Sequence, residues 1–293
     1  MIKLSTIVQC PEGPFEISLG DSRTMILGSC FAEVIGSRMQ ACGFNVCVNP
    51  FGTLYNPSSI AAAVERMQSA VPFTEQDCVQ MGAGSPLICS LNHHTSFARP
   101  GVQEFLENAN AALERCASFW KQCDRVIITL GTAFVWEYLG DGAMQGRPVA
   151  NCLKLPEAVF RRRMMDSQEC ASCLGRITQP FPDKKFIFTV SPVRHPNPDG
   201  LHANTLSKAT LQLGLPQADD RIAYFPAYEI LMDELRDYRF YAEDLCHPSQ
   251  TAAEIVWERF LDAYVGPADR AAAEANLKLA RRQGHRPIVP CRN

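Results

Sequence analysis

Apolar runs and helical stripes alternate along the chain. Thr24-Met25-Ile26-Leu27, Asn45-Val46-Cys47-Val48, Arg125 to Leu130, Lys185 to Val190 and Ile222 to Phe225 are short runs of the kind that fill buried strands. Between them, Phe31, Val34, Ile35 and Met39 recur at helical spacing, and Ser58 to Met67, Val102 to Lys121, Glu157 to Leu174 and Leu201 to Leu213 read as further helices. Tyr228 to Leu235 is helix-like, and Ala252, Ile255, Val256 and Phe260 form one face of another helix. An Ala-, Arg- and Leu-rich helix over residues 267–282 ends before Gly284 and leaves a Pro-containing tail. Strands alternating with helices predict an α/β protein of three α/β/α layers, with a mostly parallel five-stranded sheet wound as in flavodoxin. Residues 71–100 and 134–156 lack a clear period and read as insertions, the first with a short strand near Leu87 to Ser90. The main domain then spans residues 1–265, and residues 266–293 form the C-terminal helix and tail.

Two tetrapeptides carry candidate chemistry. Gly28-Ser29-Cys30-Phe31 lies where the first strand turns into the first helix, which puts Ser29 at the N-cap. Unpaired N–H groups and the positive end of the helix dipole favour negative charge there, as a tetrahedral oxyanion requires. Capping alone is the plain alternative for a serine so placed. Asp244-Leu245-Cys246-His247 precedes Pro248, which fixes a helix start just beyond the imidazole. A carboxylate three residues before a histidine can reach the ring and hold the tautomer that leaves the other nitrogen free as a base. Ser29, His247 and Asp244 are thus the three parts of a nucleophilic hydrolase. Cys30 is a rival nucleophile, because a helix N-terminus lowers a thiol's pKa; a small buried residue is the alternative reading of it.

Five ordered blocks extend the picture: Gly28-Ser29-Cys30-Phe31-Ala32, Asn49 to Pro57, Thr129-Leu130-Gly131-Thr132-Ala133, Ser191-Pro192-Val193-Arg194-His195, and the Asp244/His247 pair. Together they resemble the GSCFA domain family, which belongs with the SGNH/GDSL hydrolases, over roughly residues 3 to 260. The resemblance implies Ser29 as nucleophile, His247 as base and Asp244 as its orienting carboxylate, with the N–H groups of Ser29 and Gly52 forming the oxyanion hole. It also implies a carboxylic ester as substrate, such as an acetylated sugar, an acyl lipid or a short acyl ester, with no cofactor and no metal. The third block departs from the SGNH pattern, since Ala133 stands where an asparagine amide normally donates to the oxyanion. Losing one such donor costs about 100- to 1000-fold in turnover, and Thr132, Asn56 and Asn92 are candidate substitutes.

Other residues keep alternatives open. His93, beside Asn92 in the first insertion, is either substrate-facing or a hydrogen-bonded structural histidine. His195 and His202 compete with His247 for the role of base, while Arg194 and His195 suit shaping the pocket or binding an anionic part of the substrate. Trp136, Tyr138 and Trp120 could floor a sugar site, though such aromatics are usually core. Cys170-Ala171-Ser172-Cys173 has the spacing of half a zinc site, yet no second pair accompanies it, which favours structural thiols. The same site would equally serve an O-acyltransferase, or a ligand-binding protein that kept the pocket; a thiol-based redox or metal protein is a third class.

Composition narrows the field. The 293 residues are 46% hydrophobic and 20% charged, ordinary values for a globular protein. A net charge of -3 gives no basic footprint, and Arg161-Arg162-Arg163 reads as one side of a helix, so nucleic acid is not an expected partner. Met1 to Gly20 lacks an export signal and no run is long enough to span a membrane, which predicts a cytoplasmic protein whose 13 cysteines stay reduced.

Overall fold

A computed structural model describes residues 6–195 and 200–284. In chain order its elements are β1 (Arg23–Gly28), α1 (Cys30–Ala41), β2 (Asn45–Val48), α2 (Pro57–Ser69), β3 (Val79–Gln80), β4 (Ile88–Cys89) and α3 (Val102–Gln122). They continue with β5 (Arg125–Leu130), β6 (Phe134–Tyr138), β7 (Pro148–Val149), β8 (Phe160–Met164), α4 (Ser167–Thr178) and β9 (Lys185–Val190). The chain then forms α5 (Gly200–Ala218), β10 (Ala223–Tyr224), α6 (Ala227–Glu229) with a π-helical continuation over Ile230–Leu235, α7 (Gln250–Tyr264) and α8 (Pro267–Gly284). The predicted C-terminal tail lies outside the described residues.

Five strands form one sheet in the order β10-β9-β5-β1-β2, every neighbouring pair parallel. This is the flavodoxin-like winding the alternation predicts. Successive side chains of each strand enter opposite layers. Met25, Leu27, Val126, Ile128, Phe186 and Phe188 pack beneath α2, α3, α4 and α5. Ile26, Ile127 and Ile187 pack against α1, α7 and α8. The winding reverses between β1 and β5, so the crevice beyond their carboxyl ends is the place for a site.

The segment between β5 and α4 differs from the sequence expectation. Glu157 to Leu174 is not one helix: residues 160–164 form β8, which pairs antiparallel with β6, and β7 completes a three-stranded sheet. The three arginines therefore alternate across a strand instead of sharing a helix side. Arg161 and Arg163 grip Glu137, which is 5% exposed, while Arg162 faces the other way. Helix α4 starts only after Asp166, whose carboxylate accepts the Glu169 N–H at 2.8 Å in a capping box. In the other insertion, β3 and β4 pair as a two-stranded ribbon.

The junction after β1 is sterically tight. Gly28 has φ +134° and donates its N–H to Asn49 Oδ1 at 2.9 Å. A Cβ there would lie 2.2 Å from the Thr129 carbonyl oxygen. Gly28→Ala is expected to lower stability by on the order of 3 kcal/mol or more, because backbone must move to admit the methyl. Urea titration checks this; a loss below about 1 kcal/mol would show that the junction yields.

Candidate active site

Ser29 and Cys30 are neighbours with opposite surroundings. Ser29 is 1% exposed, and its hydroxyl lies 3.0 Å from Thr129 Oγ1 and accepts the Phe31 N–H at 3.3 Å as the cap of α1. Its own N–H bonds Thr129. Cys30, the first helical residue, projects away from that junction, and its Sγ lies 3.2 Å from His247 Nε2. A side chain that caps is committed to the helix backbone; the next residue is free to project.

The His247 loop is braced from several directions. Ala242 N–H donates to the His247 carbonyl at 2.8 Å and Arg194 N–H to the Cys246 carbonyl at 3.0 Å. Leu245 takes φ +56°, a conformation that costs a non-glycine residue about 1 kcal/mol or more and that persists only where the surroundings impose it. Asp244 Oδ1 accepts the N–H groups of Cys246 and His247, each at 2.9 Å, and Oδ2 meets His247 Nδ1 at 2.5 Å. Bonds from the His247 backbone and ring and from Cys246 hold this carboxyl at about 2. With Nδ1–H directed at Asp244, Nε2 presents its lone pair to the thiol.

Burial raises the Cys30 thiol above its ordinary value, against the pull of its own N–H at the helix start, and Glu33 adds to the rise. The resting pair is therefore a neutral thiol beside an imidazole placed within reach of its proton. The Cys30 N–H makes no hydrogen bond to the described residues. Asn56 is 6% exposed and caps α2 by accepting the Ser59 N–H on Oδ1 at 2.8 Å, which leaves Nδ2 with no partner among the described residues. Cys30, Asn56 and His247 all line one cavity of about 350 Å³. A larger cavity of about 630 Å³ over α2 contains neither Cys30 nor His247, and its Arg66 and Arg176 are paired with Asp77 and Glu65.

The remaining predicted site residues divide. Gly52 N–H is spent on the Asn49 carbonyl at 2.7 Å, and the missing side chain makes room for His94, whose Cβ would lie 2.2 Å from a Cβ at Gly52. Neither Gly52 nor Ser29 therefore has an N–H to offer an oxyanion. Ala133 is buried with its N–H on Ser207 Oγ at 2.8 Å, and Thr132 is held by the same hydroxyl at 2.9 Å while lining the cavity. Asn92 lies elsewhere, its amide on Met144. His93 is fully buried among Phe51, Phe73, Phe97 and Phe105, with Ser90 on Nδ1 at 2.6 Å; burial drives its pKa down to about 3, which makes it a structural histidine. Arg194 and His195 do line the cavity, His195 with its pKa lowered to about 4 chiefly by burial. Trp136 lines it too, whereas Trp120 is fully buried.

One residue with no counterpart in the sequence reading lies beneath. Lys208 is 1% exposed and donates to the carbonyls of Gly131 at 2.6 Å and Ser191 at 2.8 Å, tying together the loops beyond β5 and β9. Its signal is a helical stripe, Asn204, Ser207, Lys208 and Leu211, whose buried side begins polar and ends apolar.

A doubly wound α/β protein with a thiol, an imidazole and a carboxylate in line at its strand ends is the class these observations define. Residues 23–260 match the GSCFA family, and the chain belongs to it. No curated protein matches the chain. Among the described residues no helix is long and apolar enough to cross a membrane.

Burial lowers Lys208 from 10.5 to about 7. Between those values the unfolded chain holds a proton that the folded chain has released, so stability rises with pH across that window. The stability difference between wild type and Lys208→Met is expected to grow in favour of wild type from pH 7 to pH 10, by on the order of a few kcal/mol at most. Urea titrations across that range check the sign; a flat difference would mean that the ammonium stays charged when folded.

Proposed function

We propose that the protein is a cysteine-dependent acyl hydrolase of the SGNH/GDSL kind, acting on a carboxylic ester. Cys30 is the nucleophile, His247 the general base and Asp244 the carboxylate that orients it. His247 Nε2 takes the thiol proton as Sγ attacks the carbonyl carbon, and the same proton passes to the departing alkoxide. Water then attacks the Cys30 thioester, giving up a proton to His247, and collapse releases the carboxylic acid and restores the thiol. The Cys30 N–H and the Asn56 amide receive the oxyanion, Asn56 standing in for the asparagine absent at position 133. The observation that carries this reading is the Sγ to Nε2 distance of 3.2 Å, continued through Nδ1 to Asp244 at 2.5 Å. Register within the motif supports it as well: set glycine on glycine, Gly28-Ser29-Cys30-Phe31 places Cys30 against the serine of the name GDSL.

Hydrolysis of a short-chain aryl ester tests the assignment. Cys30→Ala and His247→Ala are expected to lose at least about 1000-fold in kcat/KM. Ser29→Ala retains most of the activity and loses about 1 kcal/mol of stability with its cap. The reverse pattern, with Ser29→Ala dead and Cys30→Ala active, would overturn the assignment. Asn56→Asp keeps an oxygen to cap α2 but removes the amide donor, so kcat should fall about 100- to 1000-fold with little change in folding. Unchanged kcat in that variant would remove Asn56 from the oxyanion hole.

A further inference from the structure

Two hydroxyls meet around Ala133. The Ala133 N–H donates to Ser207 Oγ at 2.8 Å, the Phe134 N–H donates to Thr132 Oγ1 at 3.1 Å, and the two hydroxyl oxygens lie 2.9 Å apart. Each oxygen thus accepts from the backbone, and both hydroxyl hydrogens still need a place. The contact between the oxygens has room for one of them. The other meets no acceptor among the described residues, and Thr132 and Ser207 both line the cavity that holds Cys30, Asn56 and His247. Ser207 is 3% exposed, whereas Thr132 is half-buried, so the hydrogen that reaches the cavity is that of Thr132. Ser207 then donates to Thr132 Oγ1, and receiving that bond polarises the Thr132 O–H into a stronger donor.

The backbone puts this donor beside the reacting sulfur and holds it there. Thr129, at the end of β5, is in register with Gly28, at the end of β1, so Thr132 and Cys30 leave neighbouring strand ends. The N–H groups of Gly131 and Thr132 both donate to the Tyr55 carbonyl, at 2.8 and 2.9 Å, which sets Thr132 next to Asn56, the residue that follows that carbonyl. Lys208 grips the Gly131 carbonyl at 2.6 Å from below. The peptide that carries Thr132 is therefore fixed at both its N–H and its C=O before a substrate arrives, the condition under which a donor stabilises developing charge most.

We propose that the Thr132 hydroxyl is a third donor to the oxyanion, beside the Cys30 N–H and the Asn56 amide, and that Ser207 is the positioning residue that turns its hydrogen toward the substrate. The inference rests on the cysteine-nucleophile reading. A hydroxyl relay from α5 thereby serves where the third block has Ala133 in place of an amide side chain.

Acylation set against alkylation at the same sulfur tests this. Attack on a short-chain aryl ester builds charge on the carbonyl oxygen, whereas displacement of iodide from iodoacetamide by Cys30 builds none there. Thr132→Val and Thr132→Ala both remove the hydroxyl, the first at nearly constant volume, so a loss shared by the two belongs to the donor. Each is expected to lower kcat for the ester about 100-fold with little change in KM, while the iodoacetamide rate at Cys30, followed by peptide mass spectrometry, stays within about twofold of wild type. Thr132→Ser, which keeps the hydroxyl, is expected to return most of kcat. An equal fall of acylation and alkylation in both variants would show a disturbed site and overturn the third donor. A wild-type kcat in Thr132→Val, with Cys30→Ala inactive, overturns the third donor and leaves the thiol assignment standing. Wild-type hydrolysis by Cys30→Ala overturns both.

Discussion

The hydrogen bonds of Ser29 to Thr129 and to the first turn of α1 decide what the rest of the molecule can do. They bind the ends of β1 and β5 at the point where the winding of the sheet reverses, and they start the helix on a defined residue. With that hydroxyl committed to the fold, the following side chain is the one presented to the crevice. A junction that holds Ser29 in place thus delivers Cys30 to His247, and the tightness at Gly28 keeps the turn from drifting. The surroundings of adjacent residues are thus divided, one buried and saturated with partners, the other half-buried beside an imidazole.

The electrostatics of the site follow from its position at the strand ends. The Cys30 N–H at the start of α1 favours a thiolate, while burial and Glu33 oppose one, and opposition wins in the resting state. In the reading proposed here, a base would have to accompany any attack, and the imidazole held by Asp244 is placed for it. Lys208 sits under the same loops, fully enclosed, its nitrogen satisfied by the Gly131 and Ser191 carbonyls. It fixes the spacing of the two loops that carry Thr132 on one side and His195 on the other.

The doubly wound sheet was legible because its strands are short continuous apolar runs, buried on both faces and separated by helical stripes. Asp244 and His247 were legible as a pair because three residues and a following proline leave the turn little freedom. The three-stranded sheet was not, since Arg161, Arg162 and Arg163 show no polar alternation even though their environments alternate, and the Asp166 to Glu169 capping box that starts α4 lies inside what reads as one helix. The part played by Ser29 was ambiguous for a related reason. Serine at a helix start suits both a cap and an attacking group, and only the direction of the side chain separates the two. Gly52 shows the same ambiguity, its positive φ and the approach of His94 explaining a glycine that position within the family block suggests for an oxyanion hole.

Trapping the acyl intermediate tests the central claim most directly. Rapid quenching of the wild-type protein with an activated aryl ester at low pH, followed by peptide mapping, locates the acyl group by mass and by its lability to neutral hydroxylamine. A hydroxylamine-labile thioester on Cys30, formed in a burst and absent from His247→Ala, is the result this account predicts. An oxygen ester on Ser29, or steady turnover with no acyl group on Cys30, would contradict it.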